Sequence, residues 1–414
     1  MNADVIVVGG GAIGVACAYE LVARGAAVVV VESADAVGSA CSYGNAGLIS
    51  PSHCIPLARP GIVRRIPGWL RPGGWVYVKP RASVALARFG ASLLRSCGEP
   101  RMLAGLRALR DLSRASRDRF EELATDGLEF GYRRAGVMNV AATGAGFAEL
   151  VADAQLLESE GFVPDIREGA EARALEPELR EDVAGGVYWD EDAHCEPTMY
   201  VAEVARAAEA AGARFELGAR VTRLRRGADG AIDEVETTRG SFRASTVLLA
   251  AGAWTARLAR TAGTRIPLEA GRGYHVHAPA GPRLQMPLIF HEHVFAATPL
   301  GDGLRLAGTM DFVGLDLRYE EARARRLVAD ASRYLEQLDD LPRATTWCGL
   351  RPCTPDSLPI VGRSGRVSNL VFATGHGMLG LTLAPVTGVA VAEVVTGDVP
   401  SVPLDALSPR RFGA

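Results

Sequence analysis

The pattern of apolar residues at the start of the chain predicts one half of a β-α-β unit. Residues 4–8 and 28–31 are short, valine-rich apolar runs, which are typical of strands buried on both faces. Between them, apolar residues recur at helical spacing over 13–24, and Gly25 follows as a residue that commonly ends helices. The expected order is therefore strand, glycine turn, helix, strand.

The rest of the chain changes pattern several times without a repeat of fixed period. Helical spacing predicts helices over 82–97, 102–126, 146–160, 198–211, 318–338 and 383–396. Runs of β-forming residues predict strands over 186–189, 213–225, 232–238, 246–250, 271–278, 288–298, 304–311 and 370–373.

Buried-strand patterns at both ends and in the middle predict an α/β fold with a discontinuous nucleotide-binding domain. Its segments are expected to be 1–50, 194–265 and 346–414. The intervening segments, 51–193 and 266–345, are expected to form an interleaved α+β domain that contains an antiparallel sheet. A chain of 414 residues is long enough for two or three domains.

The composition excludes several classes of protein. The apolar fraction of 48% and the charged fraction of 22% are ordinary for a soluble globular protein. No apolar run reaches the roughly 18 residues of a spanning helix, and the N-terminus lacks the basic region of a signal peptide. A net charge of −3 gives no reason to expect nucleic-acid binding.

Cysteine, lysine and histidine usage narrows the chemistry. The seven cysteines include no Cys-x-x-Cys pair, which argues against structural zinc and fits a reducing, cytoplasmic setting. Lys79 is the single lysine, which argues against Schiff-base chemistry with pyridoxal phosphate. His275/His277 and His291/His293 are two His-x-His pairs on predicted strands, but no carboxylate obviously joins them, so no metal is expected. The stronger alternative is that one of these histidines lines a substrate pocket.

The glycine turn carries a dinucleotide-binding fingerprint. Gly9, Gly11 and Gly14 stand as Gly-x-Gly-x-x-Gly between strand and helix, and Glu32 ends the second strand 18 residues after Gly14. The first glycine makes the tight turn, the second lets a pyrophosphate approach the backbone, and the third lets helix and strand pack closely. Glu32 can accept hydrogen bonds from ribose hydroxyls and disfavours a 2′-phosphate, so FAD or NAD is expected before NADP.

Two later segments favour a flavin over NAD. Residues 38–50 form a loop of small residues with the hydroxyls of Ser39 and Ser42, where a flavin pyrophosphate and ring edge would pass; a plain connecting loop is the alternative. The glycines of 374–380 are expected to open a helix whose N-terminus stabilises negative charge at N1 and O2 of a reduced flavin.

Several motifs in fixed order carry a family resemblance. They are the fingerprint, Gly-Asn-Ala-Gly at 44–47, Ala-Ala-Gly-Ala-Trp at 250–254, Gly-Tyr-His at 273–275, Gly-Leu-Arg-Leu-Ala-Gly at 303–308, Arg-Pro-Cys-Thr-Pro-Asp at 351–356 and Gly-His-Gly-Met-Leu-Gly at 375–380. Together they resemble the FAD-dependent D-amino-acid dehydrogenase branch of the D-amino-acid oxidase superfamily over essentially the whole chain. Glycine oxidase and sarcosine oxidase share that architecture.

The resemblance implies a glutathione-reductase-type, Rossmann-like FAD-binding domain with the substrate domain's antiparallel sheet over the flavin. It implies hydride transfer from the α-carbon of an amino acid to flavin N5, giving an imino acid that hydrolyses to a 2-oxo acid and ammonia. With the fingerprint, the expected FAD contacts are Gly9, Gly11, Ala12, Ile13, Gly14, Glu32, Ser33, Ser42, Asn45, Ala46, Gly47, Leu48, Val221 beside the adenine, Ala251, Gly252, Trp254, Gly375, Gly377, Met378, Leu379, Gly380, Leu381 and Thr382.

Arg351 is the candidate anchor for the substrate. Hydride transfer needs a fixed donor carbon, and a bidentate arginine is the best grip on a substrate carboxylate. In the family that the chain resembles, the arginine of this Arg-Pro segment faces the flavin and binds that carboxylate. The alternative is a structural brace in a Pro-rich turn, with Arg351 held by Asp356 or by a backbone carbonyl; Asp356 is expected to shape the turn instead.

Further site residues have to come from other segments, because 375–382 lacks the arginine that glycine oxidase carries there. Tyr274, on the predicted strand 271–278, is the candidate second donor, and a half-buried strand tyrosine is the alternative. His53, just after the flavin loop, is a pocket candidate. His376 is expected to act mainly through its backbone at the start of a helix, with its ring near the flavin.

Two cysteines raise the question of a covalent flavin, which occurs in sarcosine oxidase relatives. Cys348 and Cys353 lie near the region concerned, but the cysteine-containing motif of that branch is not reproduced. Non-covalent FAD is therefore expected.

Residues 59–101 hold nine basic residues and one acid, Glu99, interleaved with Trp69, Trp75 and Tyr77. Such a segment suits peripheral contact with the inner face of a membrane, and a solvated basic face with tryptophans packed inward is the alternative. Membrane contact would fit electron transfer to a quinone; O₂ is the other candidate acceptor.

The sequence thus predicts an FAD enzyme that oxidises a small D-amino acid, with proline-like or hydroxyproline-like substrates as candidates. One alternative is an oxidase that uses O₂ on glycine or N-methyl amino acids. Another is a non-catalytic FAD-binding subunit of a larger complex, which would tolerate loss of Arg351 and Tyr274. The presence of both residues favours an enzyme.

Overall fold

The strand–helix–strand unit predicted at the N-terminus is present. In the computed structural model, which describes residues 2–279, 281–301, 303–336, 338 and 344–414, it comprises β1 (Asn2–Val8), α1 (Ala12–Ala23) and β2 (Val28–Val31). All four β2 valines are buried, as expected of a strand covered on both faces.

The other elements follow in chain order. The helices are α2 (Ile66–Trp69), α3 (Val84–Ser96), α4 (Glu99–Thr125), α5 (Gly144–Ser159), α6 (Gly169–Leu175), α7 (Pro197–Ala210), α8 (Thr255–Thr261), α9 (Glu321–Ala331) and α10 (Ala384–Thr396), with short 3₁₀ turns at Ile62–Arg65, Gly252–Trp254, Asp405–Leu407 and Pro409–Phe412. The strands are β3 (Leu48–Ile49), β4 (Val76–Val78), β5 (Val137–Ala141), β6 (Asp165–Glu168), β7 (Gly185–Trp189), β8 (Ala193–His194), β9 (Arg214–Glu216), β10 (Val221–Arg226), β11 (Ile232–Thr237), β12 (Gly240–Leu249), β13 (Glu269–Ala278), β14 (Leu288–Phe290), β15 (Phe295–Leu300), β16 (Gly303–Phe312), β17 (Thr345–Cys353), β18 (Ile360–Arg363) and β19 (Leu370–Thr374).

A parallel sheet forms the first layer, in the strand order β9-β2-β1-β12-β19, with β18 antiparallel on its edge. The start of β12 also pairs with the antiparallel ribbon of β10 and β11. Along β1, Val5 and Val7 join one apolar cluster while Ile6 and Val8 join another, so both faces of the sheet are covered. The carboxyl ends of the parallel strands face the same way, where ligands bind in such sheets.

A mixed, mostly antiparallel sheet forms the second layer, in the order β17-β13-β16-β15-β14-β5-β7-β6, with β4 beside β16. An apolar cluster packs α9 against one face of β13 and β16. In the β13–β17 pair, Gly271 lies opposite Arg351, Gly273 opposite Gly349 and Tyr274 opposite Cys348. Since side chains alternate between faces, Arg351 and Gly273 share the face away from α9, whereas Tyr274 faces α9.

Three predicted elements differ from the structure. The run 213–225 is split into β9 and β10 by Gly218, whose φ is +66°. The run 288–298 is a hairpin of β14 and β15, with Val294 at φ +46° in the turn. The helix predicted over 318–338 begins only at Glu321 of α9, because Glu320 before it has an extended backbone. Arg272 donates hydrogen bonds to the Arg318 carbonyl (2.6 Å) and to the Glu320 carboxylate in this segment. Residue 337 lies outside the described residues.

The Pro-rich stretch around Arg351 is also not a turn. Residues up to Cys353 form the edge strand β17, paired with β13 from Glu269–Cys353 to His277–Thr345. Pro352 is tolerated because an edge strand has one unpaired side. Residues 346–353, which the sequence assigned to the nucleotide-binding segments, therefore belong to the second sheet, and the division into domains stays a prediction.

None of the helices in the described part of the chain combines the length and apolar character needed to cross a membrane.

Candidate active site

A cavity of about 690 Å³ lies between the two sheets. The carboxyl ends of β1, β2, β12 and β19 open onto it, since Val8, Val31, Ala250 and Ala373 belong to its wall. The opposite wall includes Gly273 of β13 and parts of β16 and β17. The cavity is therefore built by both layers, at the edge of a parallel sheet where nucleotides are expected to bind.

The glycine fingerprint shapes one end of this cavity. Gly9 has a φ of +111°, and a Cβ atom there would lie 2.6 Å from the carbonyl oxygen of Ala250. A Cβ atom at Gly14 would lie 1.8 Å from the carbonyl oxygen of Gly9, so α1 approaches β1 this closely only with glycine. Gly11 and Ala12 line the cavity at the start of α1 and present the positive end of the helix dipole to it.

Glu32 is fixed at the same end by backbone amides. Its Oε2 accepts a hydrogen bond from the Gly10 amide (2.6 Å), and its Oε1 accepts one from the Ala34 amide (2.9 Å). The hydroxyl oxygen of Ser42 accepts a hydrogen bond from the Ala12 amide (3.0 Å). The carboxylate and the start of α1 thus face one space, which suits a ribose next to a pyrophosphate.

The loop 375–382 closes the cavity near the second sheet. The Gly377 amide donates to the carbonyl oxygen of Pro352 (2.9 Å), and the Thr382 hydroxyl donates to that of Leu48 (2.9 Å). A turn separates the glycines from α10, so the helix does not begin directly at them as the sequence suggested. Its N-terminus lies behind a loop that itself lines the cavity.

Nearly all the predicted FAD contacts line this cavity. Gly14, Gly47 and Gly375 do not, and they instead allow close packing around it. The residues that line it are Gly9, Gly11, Ala12, Ile13, Glu32, Ser33, Ser42, Asn45, Ala46, Leu48, Val221, Ala251, Gly252, Trp254, Gly377, Met378, Leu379, Gly380, Leu381 and Thr382.

Arg351 lies at the other end of the cavity as a half-buried charge. Its Nη1 donates to the carbonyl oxygen of Thr309 (2.5 Å), and its Nη2 lies 3.5 Å from that of Gly308, at the limit of a hydrogen bond. A Cβ atom at Gly273 would lie 1.9 Å from Nη1, so the guanidinium rests directly on that glycine. Within the described ranges no carboxylate pairs with Arg351, and its charge is oriented but not neutralised.

The proposed brace between Arg351 and Asp356 is absent. The Asp356 carboxylate pairs with Arg411 (2.8 Å from Nε to Oδ2) and accepts a hydrogen bond from the Leu358 amide (3.2 Å). Asp356 therefore shapes the turn, as expected. The alternative in which a backbone carbonyl holds Arg351 is present in the structure, since Arg351 donates to the carbonyl oxygen of Thr309.

Tyr274 does not reach the cavity. Its ring is buried beneath α9, 5.9 Å from the ring of Tyr319 and 5.5 Å from the guanidinium of Arg272. Burial raises the pKa of its hydroxyl to about 12. The strand itself was predicted correctly. Because side chains alternate between the two faces of a strand, Gly273 and not Tyr274 faces Arg351. The structure therefore favours the alternative of a structural strand tyrosine.

His53 and His376 lie on the cavity wall near Met310. Burial lowers the pKa of His53, and it lowers the pKa of His376 to about 3. The Nε2 atom of His376 lies 3.0 Å from the hydroxyl oxygen of Thr387, which orients the ring. Both imidazoles are therefore neutral near pH 7 and add no charge beside Arg351.

Sequence reasoning missed the role of β16. Thr309 has a φ of +63°, a left-handed conformation at an irregularity in the β13–β16 register, and this turns its carbonyl oxygen to Arg351. Met310 follows it in the cavity wall. Periodicity cannot show such a bulge, but Gly273 within a strand pattern was a usable signal, since glycine there marks the close approach of another group.

Histidines of the two predicted pairs contact aromatic side chains in the structure. His275 stacks on Trp347 (5.5 Å between ring centroids), and His293 Nδ1 lies 2.9 Å from the Tyr334 hydroxyl. No cluster of three metal-ligating side chains occurs among the residues that the structure describes.

Comparison with known proteins places the cavity in a family context. The family model described as FAD dependent oxidoreductase matches residues 4–394. A D-amino acid dehydrogenase of Paramagnetospirillum magneticum is 32% identical, over 99% of this chain and 98% of that protein. A D-amino acid dehydrogenase of Methylobacterium radiotolerans is 31% identical, over 99% of this chain and 100% of that protein.

Solved structures share the fold. Glycine oxidase from Geobacillus kaustophilus matches with a TM-score of 0.79 and 24% identity, covering 98% of each chain. L-proline dehydrogenase from P. horikoshii matches with a TM-score of 0.78 and 20% identity, covering 99% of this chain and 98% of that one. The α/β fold class with its added antiparallel sheet is thereby confirmed.

Proposed function

The chain belongs to the FAD dependent oxidoreductase family, and from this premise we propose that it oxidises a free amino acid whose carboxylate is held by Arg351. It is an oxidoreductase acting on CH–NH₂ or CH–NH donors, with FAD as its cofactor. The single observation that carries the proposal is the guanidinium of Arg351, which pairs with no carboxylate of the described residues and lines the same cavity as the glycine fingerprint.

The fit to FAD rests on the two ends of the cavity. Side chains at Gly9 and Gly14 would collide with backbone, so the turn before α1 is built for a closely approaching pyrophosphate. Glu32 would hold the ribose, and Val221 lines the wall where the adenine is expected. Bound FAD supplies the acceptor for the hydride that leaves the substrate α-carbon.

Arg351 would bind the substrate carboxylate through a charge-assisted, bidentate contact. Its guanidinium is already oriented by the Thr309 carbonyl, so little conformational entropy is lost on binding. Gly273 provides the space in which the guanidinium lies flat. These contacts fix the α-carbon, and positioning is the main requirement of hydride transfer.

The side chains of the cavity wall around Met310 carry no charge. Met310 is apolar, and the imidazoles of His53 and His376 are neutral near pH 7 because burial lowers their pKa. In such surroundings the attraction between the carboxylate and Arg351 is stronger than in water. The imino acid product would be hydrolysed after release, giving a 2-oxo acid and ammonia.

The substrate class in this proposal is a small D-amino acid, with proline-like and hydroxyproline-like acids as candidates. The naming of the curated relatives as D-amino acid dehydrogenases supports the D configuration. The electron acceptor is a quinone or O₂, and the setting is cytoplasmic, with peripheral contact to the inner face of the membrane. Glycine or N-methyl amino acids with O₂ are the second candidate.

FAD is proposed to be bound without a covalent link. Burial raises the pKa of the Cys348 thiol and raises that of Cys353 to about 12, so neither is a ready thiolate nucleophile. Denaturation with acid should therefore release the flavin into the supernatant. Flavin that stays with the precipitated protein would contradict this proposal.

The test of function is an anaerobic screen of D- and L-amino acids on the FAD-loaded protein, read as bleaching of the visible flavin absorbance. Bleaching by a small D-amino acid, but not by its L enantiomer, is the expected result. Absence of bleaching by every amino acid would favour a non-catalytic FAD-binding subunit. Reoxidation of the bleached flavin by air, compared with a quinone, then separates oxidase from dehydrogenase.

A further inference from the structure

The half-buried Trp75 lies in the wall of the cavity between the two sheets. The sequence grouped it with Trp69 and Tyr77 in the basic segment 59–101, but neither of those two residues lines this cavity. Its two chain neighbours do not line the cavity either, and its carbonyl oxygen is bonded to β16, so the indole is the part of Trp75 that faces the cavity. The proposed function assigns this side chain no role.

Pairing with the second sheet fixes the position of Trp75. An exposed turn with Gly73 at φ +99° precedes Trp75, and β4, which follows it, pairs in parallel with the end of β16. Beyond β4, Arg81 donates to the Phe312 carbonyl (2.7 Å) and forms an ion pair with Glu269 (2.6 Å). Trp75 is therefore held at the point where this segment joins the sheet.

A single peptide group of β16 connects Trp75 with Arg351. The Met310 amide donates to the Trp75 carbonyl oxygen (2.7 Å), and the Thr309 carbonyl oxygen of the same peptide group accepts from Arg351 Nη1 (2.5 Å). This peptide bond is trans, so its N–H and C=O groups point in opposite directions. The Trp75 carbonyl oxygen and Arg351 Nη1 are therefore about 7 Å apart, on opposite sides of β16.

This spacing suits one small amino acid. A carboxylate on Arg351 would leave the α-carbon and its side chain above Met310, which lines the cavity between Arg351 and Trp75. Methionine adapts its shape to a neighbouring group, whereas indole is rigid and flat. We use the name side-chain subsite for the part of the cavity beside Met310 and Trp75.

The charges in the cavity wall disfavour a charged side chain in this subsite. Among the residues that the structure describes, Glu32 is the only carboxylate in the wall, and its oxygens accept hydrogen bonds from the Gly10 and Ala34 amides at the cofactor end. A cationic side chain beside Arg351 would therefore be buried without a counter-charge, which is costly. An uncharged side chain avoids this cost.

We propose that Trp75 is a specificity-determining residue whose indole packs against the side chain of the substrate. The side-chain subsite would accept a compact, uncharged, ring-like side chain such as a pyrrolidine. The proposal rests on the proposed function, because Arg351 must hold the carboxylate for the ring to reach the indole. The flat indole gives a saturated ring a large contact area, and its bulk leaves no room for a long side chain.

The variants separate contact with the substrate from a structural role. Trp75 also packs against an apolar cluster that contains Met310 and Phe312. Trp75→Leu keeps an apolar side chain on that cluster but removes the aromatic face, whereas Trp75→Phe keeps a ring. Tyr77 lies on the same face of the segment and is also half-buried, but it does not line the cavity, so Tyr77→Leu is the matched control.

The first measurement is binding of two inert carboxylates to the FAD-loaded proteins, read from the change in flavin absorbance. Pyrrole-2-carboxylate carries a flat five-membered ring without a hydrogen on a saturated α-carbon, and acetate carries no ring. Trp75→Leu should raise the dissociation constant of pyrrole-2-carboxylate about tenfold, while its affinity for acetate stays that of wild type. Trp75→Phe should recover most of the loss, and Tyr77→Leu should bind both ligands like wild type.

Equal loss of both ligands in Trp75→Leu would show that Trp75 is only structural, and this would overturn the proposal. Unchanged affinity for pyrrole-2-carboxylate would overturn it as well. Arg351→Met serves as the reference for loss of the carboxylate contact, since it should weaken binding of both ligands.

The second measurement is the rate of anaerobic flavin reduction by D-proline, D-phenylalanine and D-arginine. Wild type should be reduced by D-arginine at least about 100-fold more slowly than by D-proline, because the cationic side chain finds no carboxylate. Trp75→Leu should shift the ratio of rate constants at least about tenfold from D-proline toward D-phenylalanine, because the larger ring gains space. Wild type that is reduced equally fast by D-arginine, or an unchanged ratio in Trp75→Leu, would contradict the proposed subsite.

Failure of this proposal is distinct from failure of the proposed function. If no amino acid bleaches the flavin of wild type, the proposed function fails. If amino acids bleach it and Trp75→Leu matches wild type in ligand affinity and in substrate preference, only the role of Trp75 fails.

Discussion

The proposed binding of the substrate carboxylate depends on the guanidinium of Arg351. Taking the Arg351 guanidinium out of water costs free energy. Its hydrogen bonds to carbonyl oxygens offset little of this cost, and no carboxylate of the described residues pairs with it. A bound ligand anion would offset the remainder. Structural arginines elsewhere in the chain show the contrast, since Arg411 and Arg323 each pair with an aspartate. The presence or absence of a paired carboxylate distinguishes a structural arginine from a ligand-binding one more clearly than the neighbouring sequence does.

Glu32 allows a direct test of the cofactor end. Glu32→Ala removes the ribose acceptor and the hydrogen bonds to the Gly10 and Ala34 amides. We expect the dissociation constant of FAD to rise about 10- to 100-fold, because hydrogen bonds to a charged group contribute about 1.5–3 kcal/mol. Titration of the apoprotein with FAD measures this, with exposed Glu158→Ala as the control. Equal FAD affinity in both variants would contradict the ribose role.

Gly273 tests the space beneath Arg351. A Cβ atom there would lie 1.9 Å from Nη1 and 2.4 Å from Cζ, so Gly273→Ala must displace the guanidinium. We expect kcat/KM for the amino acid to fall about 100-fold, as a misplacement near 1 Å can cost this much, with FAD content unchanged. Gly144→Ala is the control. A Gly273→Ala enzyme with ordinary kinetics would show that Arg351 is not held against this glycine during catalysis.

At the scale of elements, a buried carboxyl group holds the loop of His53. The Ser52 hydroxyl and amide donate to Asp192 just before β8 (2.5 and 3.1 Å), and Asp192 is fully buried. Burial raises the pKa of Asp192 to about 7, outweighing the opposing effect of the Ser52 hydrogen bonds. Since the folded pKa exceeds the unfolded value near 4, this stabilising contribution is full below pH ~4 and is lost as pH rises through ~7.

Asp192→Asn should therefore flatten the dependence of stability on pH. From pH 5 to pH 8 the wild type should lose a few kcal/mol of unfolding free energy relative to the variant, because only the wild type must ionise a buried group. Urea unfolding at each pH measures the difference. Parallel pH profiles for the two proteins would mean that Asp192 does not titrate as described.

Elements with strong local signals were predicted well, and those made by distant pairing were not. The runs of β1 and β2, the glycine turn and α10 follow from periodicity and glycine placement. The strand β17 owes its form to pairing with β13, about 80 residues earlier in the chain, and no local pattern announces it. The left-handed backbone conformation of Thr309 and the position of Gly273 on the cavity side of β13 likewise depend on strand pairing in that sheet.

At the scale of the whole molecule, the order of motifs indicated the family, which the match over residues 4–394 confirms. The same order let Arg351 and the loop 375–382 be assigned to one site, and the structure joins them through Pro352 and Gly377. Tyr274 was predicted as the second donor, but its side chain lies on the face of the sheet that points away from the cavity. Alternation along a strand shows which residues share a face, but it does not show which face lines the cavity.

The cavity between the two sheets also links cofactor binding to stability. Removing FAD leaves about 690 Å³ to be filled by water between the layers. The FAD-loaded protein should unfold at a higher temperature than the apoprotein, with about 4 kcal/mol of added stability at an FAD concentration 1,000 times the dissociation constant. Calorimetric scans at several FAD concentrations measure this, and a transition temperature independent of FAD would contradict it.

The central claim, that Arg351 holds the substrate carboxylate, is tested most directly by pairing an enzyme change with a substrate change. Wild type and Arg351→Met, each loaded with FAD, are mixed anaerobically with the amino acid and with its carboxamide, and the rate of flavin bleaching gives four second-order rate constants for flavin reduction. The wild type should prefer the carboxylate by about 2–5 kcal/mol, and Arg351→Met should lose nearly all of that preference. An undiminished preference in Arg351→Met would place the carboxylate elsewhere.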